Sequence, residues 1–307
     1  MRFLVMGLAA FALATMPTAQ AAQAKKPHRC LKGMYKPKTK LGAKPLSAKQ
    51  YARRVKANRG SCYRWGATRF VTGKYSDALI AWRHLGETGH VRAQFGLYKV
   101  YSTGLGSGRR DDKKAYEWLV KAARAGLPNA QYALGDVLLR GRGVKQNQAA
   151  AANWYGRAAA KGHGEARFKL AQLYFAGTGV RKNTSKALAL YRASADTGHP
   201  AALTTMGVFY FNGRVFKKSE VKARDWWIKA SYAGEVNAMV FLARIYYNSI
   251  KLPRNYSEAY VWYTIADERG DHSAKKERTN LLKVMRSIEV RKAEARLAVV
   301  RPKVRRQ

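Results

Sequence analysis

The sequence predicts an all-α protein, a right-handed α-solenoid of stacked antiparallel helix pairs with a 36-residue repeat. Three columns of residues predict it. Gly89, Gly126, Gly162, Gly198, Gly234 and Gly270 recur at steps of 37 and then 36, each followed four residues later by Ala. Trp82, Trp118, Trp154, Leu190, Trp226 and Trp262 recur every 36 residues. Asp111, Asn147, Asn183, Ser219 and Asn255 form a polar column of good helix N-caps. A helix pair that cannot bury both of its faces alone stacks on its neighbours, and the repeat then shares one continuous core.

The N-terminus stands apart from the repeat. Arg2, the apolar run Phe3 to Met16, and the small residues Ala19 and Ala21 have the form of a secretory signal peptide over residues 1–21. Cleavage is expected after Ala21, with Ala24 the second choice and a retained anchor the alternative. The run is short for a membrane span. Export places the rest of the chain in the periplasm or outside the cell, where Cys30 and Cys62 are a candidate disulfide and two free thiols the alternative.

Residues 22–58 are basic and broken by Pro27, Pro37 and Pro45, which predicts a largely disordered, self-repelling tail. Ser47 is a candidate cap for a short helix ending near Ala57. Residues 59–89 form a degenerate first repeat, and residues 90–270 hold five full ones.

Within a full unit the first helix shows helical spacing, as in Ala166, Leu170, Leu173 and Tyr174. It ends at a Gly-x-Gly turn such as Gly177-Thr178-Gly179, suited to a left-handed C-cap. The second helix carries the small Ala column and the Trp column, and the Trp side chains are expected to fill the space between units. Pro128 and Pro200 suit the first turn of a helix. The Gly-x-Gly turn decays at Gly213-Arg214-Val215 and is absent at Ser249-Ile250-Lys251, so the last loop is expected to differ in shape. Residues 271–307 read as two capping helices, about Ser273 to Met285 and Ile288 to Val299, with Ser287 as candidate N-cap and a basic tail behind them.

Segments such as "AQYALGDVLLRGRGVKQNQAAAANWYGRAAAKG" carry the pattern A-x-x-x-L-G-x-x-Y-x-x-G-x-G-V-x-x-D/N-x-x-x-A-x-x-W-Y-x-x-A-A-x-x-G. This resembles the Sel-one-like repeat (SLR) family, a relative of the tetratricopeptide repeat, over about residues 61 to 285. The resemblance implies a non-enzymatic scaffold or adaptor for protein assembly. Many bacterial members are exported and act at the envelope. A penicillin-binding subfamily with a Cys pair in each repeat is a poor match, because no Cys follows Cys62.

Chemistry-bearing constellations are sparse. His90, His163 and His199 share one column, but stacked units hold them about 10 Å apart, too far for common metal ligation. No carboxylate column suggests a glycosidase pair, and helix capping explains the Gly-x-Gly turns without a phosphate. No catalytic residue, metal or cofactor is therefore assigned. The rival classes are a cell-wall or β-lactam hydrolase and a secreted factor that binds nucleic acid.

Charge is the informative feature. The chain has 59 Lys and Arg against 18 Asp and Glu, a net +41. Residues 1–76 hold no acid at all. Cations also concentrate in the loops inside each unit, at Arg142, Lys145, Arg181, Lys182, Lys217, Lys218 and Arg254. Stacking is expected to line them up as a basic ridge for anionic partners such as acidic proteins, envelope polymers or lipid headgroups. Phe175, Phe211 and Tyr247 are a candidate concave aromatic patch for a protein partner.

Overall fold

The computed structural model describes residues 48–305 apart from Ser107, with side chains from Gly60 onward. Among the described residues it is helical throughout, with no strand: α1 (Ala48–Val71), α2 (Tyr75–Glu87), α3 (Val91–Thr103), α4 (Asp112–Arg124), α5 (Pro128–Arg140), α6 (Gln148–Ala160), α7 (Gly164–Ala176), α8 (Thr184–Asp196), α9 (Pro200–Asn212), α10 (Glu220–Tyr232), α11 (Val236–Asn248), α12 (Tyr256–Glu268), α13 (His272–Leu282) and α14 (Ser287–Val300). Each helix from α1 to α12 packs on the next in sequence, and α13 and α14 both pack on α12. The pairs α3/α4 to α11/α12 form five units, and all ten of their helices have 13 residues.

The first unit begins earlier than the sequence suggests. Helix α1 runs without a break through Gly60, so the expected short helix ending near Ala57 and the boundary at residue 59 are not present as such. No proline lies between Pro45 and Pro128, and one helical glycine costs only about 1 kcal/mol. The helix stops at Gly73, whose φ is 75°. At the other end Ser287 is the first helical residue of α14 rather than its cap. Arg286 precedes it, and the Glu289 carboxylate accepts the Arg286 backbone N–H at 2.8 Å. The basic C-terminal segment folds back: the Arg269 guanidinium donates to the carbonyls of Val304 and Arg305, and the Arg305 N–H donates to the Tyr232 carbonyl.

The Trp column divides. Trp82 and Trp262 are buried. Trp118, Trp154 and Trp226 are half-buried, each beneath the cation three residues on: Lys121, Arg157 and Lys229 at 4.2, 4.5 and 4.8 Å from the ring centroid. The enclosed column lies one residue later, at Leu119, Tyr155, Tyr191, Trp227 and Tyr263. Its rings fit over small residues of the first helix: a Cβ on Gly135 would stand 2.7 Å from the Tyr155 ring. These side chains form two buried clusters, one with Leu119, Ala130, Tyr155 and Ala166 and the other with Tyr191, Ala202, Trp227, Ala238 and Tyr263, which half-buried Tyr174 and Leu190 bridge.

Candidate functional site

The loops inside the first four units are built alike, and the fifth shares their exit but not their entry. The Ala–Leu-patterned first helix ends at a left-handed glycine, Gly104, Gly141, Gly177 or Gly213. The predicted N-caps all sit at their positions, and each side chain accepts the backbone N–H three residues on: Asp111 from Lys114, Asn147 from Ala150, Asn183 from Lys186, Ser219 from Lys222 and Asn255 from Glu258. The same five residues donate their own N–H to the carbonyls of Tyr101, Leu138, Tyr174, Tyr210 and Tyr246 at 2.8–2.9 Å. Every loop is thus pinned at its exit to the last turn of the helix before it.

The second glycine of the turn sets the contact between units. Gly143 has φ 69°, and a Cβ there would stand 2.6 Å from the Cβ of Asp112 in the preceding unit. Gly106 stands in the same way against Tyr75, and Gly179 against Gln148. The loops that hold Gly106, Gly143 and Gly179 are thus each seated on the start of the second helix of the preceding unit. All seven cations of the expected ridge are exposed: Arg142, Lys145, Arg181, Lys182, Lys217, Lys218 and Arg254. Among the described residues none of the seven pairs with a carboxylate.

The three residues of the expected aromatic patch differ in exposure. Phe175 is half-buried, stacked on Phe209 at 5.6 Å and edge-on to Tyr191. Tyr247 is half-buried and edge-on to Tyr256 at 5.8 Å. Phe211 alone of the three is exposed, tilted against Trp227 at 5.4 Å. The repeat puts these rings at equivalent positions a whole unit apart, and each is taken up by nearer neighbours. Cys62 is buried and is not a free thiol. Cys30 and the signal peptide lie outside the described residues.

The histidine column has a function that sequence reasoning missed. Imidazole Nδ1 of His90, His163 and His199 accepts the N–H of Ala93, Ala166 and Ala202, capping α3, α7 and α9. The same rings stack on Tyr63, Tyr132 and Phe168 of the preceding unit at 5.0–5.1 Å. A cap of this kind needs a neutral ring with Nδ1 unprotonated. Burial pushes His163 below the usual imidazole range, which favours that form. The signal was present in the sequence: the column lies just before the first helix, where capping residues belong.

Among the described residues no helix is long and apolar enough to cross a membrane. Residues 91–127, 128–163, 164–199, 200–235 and 236–271 each match the Sel1 repeat family. No curated protein matches the chain. A Sel1 repeat protein from Oxalobacter formigenes, known from its crystal structure, superposes with a TM-score of 0.68 and 27% identity, over 77% of this chain and 98% of that one. A protective antigen of uropathogenic Escherichia coli displaying an SLR fold superposes with a TM-score of 0.51 and 23% identity, over 83% of this chain and 63% of that one. The matched repeats are the same five helix pairs that carry the pinned loops and the cross-unit core, and the chain belongs to the Sel1 repeat family.

Proposed function

We propose that this chain is a non-enzymatic scaffold, exported through its N-terminal signal peptide to the bacterial envelope or beyond, that holds anionic partners along its cationic loop edge. Sel1 repeat proteins mediate protein–protein interaction, and that general role is the starting point. The observation that carries the finer reading is the set of seven exposed cations on loops each pinned at its exit by the same backbone hydrogen bond, with no carboxylate paired to them among the described residues. Unneutralised charge on rigid loops costs no reorganisation when an anion arrives. The partner supported best is an acidic protein face, because it can span several loops about 10 Å apart, beyond the Debye length of about 8 Å in physiological salt.

The test is charge reversal. Lys145, Arg181, Lys182, Lys217 and Lys218 are changed together to Glu, and binding of labelled polyglutamate to the full chain is followed by anisotropy. The reading expects affinity to fall by at least about a hundredfold, since several contacts are lost together. The helical circular dichroism should stay unchanged, because exposed charges are worth little to stability. Equal affinity in parent and variant would overturn the reading. Export is tested separately, by fractionating cells that make the full chain with its N-terminus intact and with residues 2–21 removed.

A further inference from the structure

We propose that the groove between α9 and α11 is an anchor site for an acidic peptide segment, taking one aromatic or branched aliphatic side chain against the rings of Phe211, Trp227 and Phe241. It rests on the interaction reading above and gives it a place and a chemistry.

The groove arises where the repeat breaks its own rule. In earlier units a glycine ends the first helix and the chain turns back at once. Here α11 ends at Ser249 in extended backbone, with φ −60° and ψ 138°. The Ser249 hydroxyl takes over the organisation of the turn. It accepts the N–H of Leu252 at 2.8 Å and of Lys251 at 3.2 Å, and donates to the Glu220 carboxylate at 2.5 Å. Ile250 is thrown outward and is 96% exposed, the most exposed large apolar side chain among the described residues.

Between this turn and α9 lies a groove of about 540 Å³, within the range of about 300–1,000 Å³ typical of sites that enclose a ligand. Its walls are a run of rings: Phe211 to Trp227 at 5.4 Å, and Trp227 to Phe241 at 5.1 Å. Phe211 is 39% exposed, whereas Trp227 is buried and forms the floor. Packed, rigid aromatics around a cleft are the usual seat of binding energy at protein interfaces.

Charge selects the occupant. Lys218 and Arg244 line the groove, Arg244 at 3.9 Å from the Glu277 carboxylate, and the exposed Lys217 and Lys251 are chain neighbours of the lining residues Lys218 and Ile250. Lys218 Nζ lies 5.8 Å from the Phe211 centroid. The nearby acids are occupied. Glu220 is buried at the N-terminus of α10, where the helix dipole favours it, and is held by Ser249. Asp225 is held by Arg224 at 2.9 Å. A second copy of this chain, at net +41, is repelled from such a rim, and so are residues 25–59, which hold cations and no acids. An acidic segment with an apolar anchor satisfies both the rings and the rim.

The test uses two labelled ten-residue peptides of Asp and Glu, one with a central Phe-Leu pair and the other with Ser-Ser there. Binding to the full chain is measured for the parent, for Phe211→Ser with Ile250→Ser, and for the five-residue loop reversal described above. Both groove substitutions are at exposed side chains, and melting by circular dichroism checks that the fold is retained. The Phe-Leu peptide should bind the parent at least about tenfold more tightly than the Ser-Ser peptide, and the groove variant should lose that preference while holding the Ser-Ser peptide as before. Equal binding of the two peptides to the parent, no binding of either, or a preference that survives in the groove variant would overturn the anchor site. The loop reversal also changes Lys217 and Lys218 at the groove rim, so it is read on the Ser-Ser peptide only: if it leaves Ser-Ser binding unchanged, the edge reading fails whatever the groove does.

Discussion

Glu165 of α7 accepts a hydrogen bond from Nε2 of His199, one unit further on, while Nδ1 of the same ring caps α9 through the N–H of Ala202. One imidazole thus ties two units together and satisfies a helix end. Tyr132 donates to the other Glu165 oxygen at 3.4 Å and stacks on His163. The hydrogen bond from His199 is the chief reason the Glu165 carboxyl lies below its usual range.

These contacts make the array sensitive to acid in two windows. His163 is held below its usual range by burial, so the unfolded chain takes up its proton first. Its contribution is present above about pH 6.5 and is lost as pH falls from there toward the folded value. Glu165, also lowered in the fold, contributes above the ordinary carboxylate range and is lost as pH falls through that range toward its folded value. His163→Asn keeps a capping side chain and removes the titration. Its urea midpoint should drop less than the parent's between about pH 7.5 and about pH 5.5. An identical drop in both proteins would show that His163 is not a pH-sensitive cap.

The core column gives an ordering that the Trp pattern does not. Tyr155 has no exposed surface, whereas Trp154 is half-buried beneath Arg157. Tyr155→Ala should cost about 3–5 kcal/mol in urea unfolding, and Trp154→Ala distinctly less. The Tyr155 hydroxyl is buried and meets no protein partner among the described residues, so Tyr155→Phe should be neutral or stabilising by about 1 kcal/mol. A larger loss at Trp154 than at Tyr155 would reverse this assignment.

The turn glycines separate two kinds of constraint. At Gly162, with φ 84°, an added Cβ meets only the Arg167 side chain at 3.9 Å, so Gly162→Ala should cost only the backbone strain of about 1–2 kcal/mol. Gly143→Ala adds a clash with Asp112 to a similar strain and should cost more, by roughly a further 1–3 kcal/mol. Equal losses in chemical denaturation would mean that the contact with Asp112 does not constrain the loop at Gly143.

Cys62 should resist alkylation in protein taken from an oxidising compartment, because it is buried and not free. If Cys30 is its partner, as we propose, peptide mass spectrometry without reductant should recover the two joined. Two alkylated thiols in folded, exported protein would contradict the pairing.

The solenoid was legible because its signals are local and repeat. The cap column, the turn glycines and the prolines at Pro128 and Pro200 each act within one helix end, so spacing alone located them. The burial of Tyr155 over Trp154 was not legible, because both are large aromatics on the same turn and only packing against Gly135 distinguishes them. The cationic loops could be read because charge is a property of composition. The groove beside Ile250 could not, because it depends on how Ser249 reorganises the turn. The unequal exposure of Phe175, Phe211 and Tyr247 was not legible for the same reason: a repeat fixes equivalent positions, and neighbours decide which of them stay open.

The central claim is that the loop edge, rather than the basic N-terminal tail, receives the anionic partner. Amide hydrogen exchange of the full chain with and without polyglutamate tests it most directly. The account predicts slowed exchange across residues 141–147, 177–183 and 213–219 together, with little change in residues 22–59. Slowing confined to residues before 60, with the three loops exchanging as in the free protein, would contradict it.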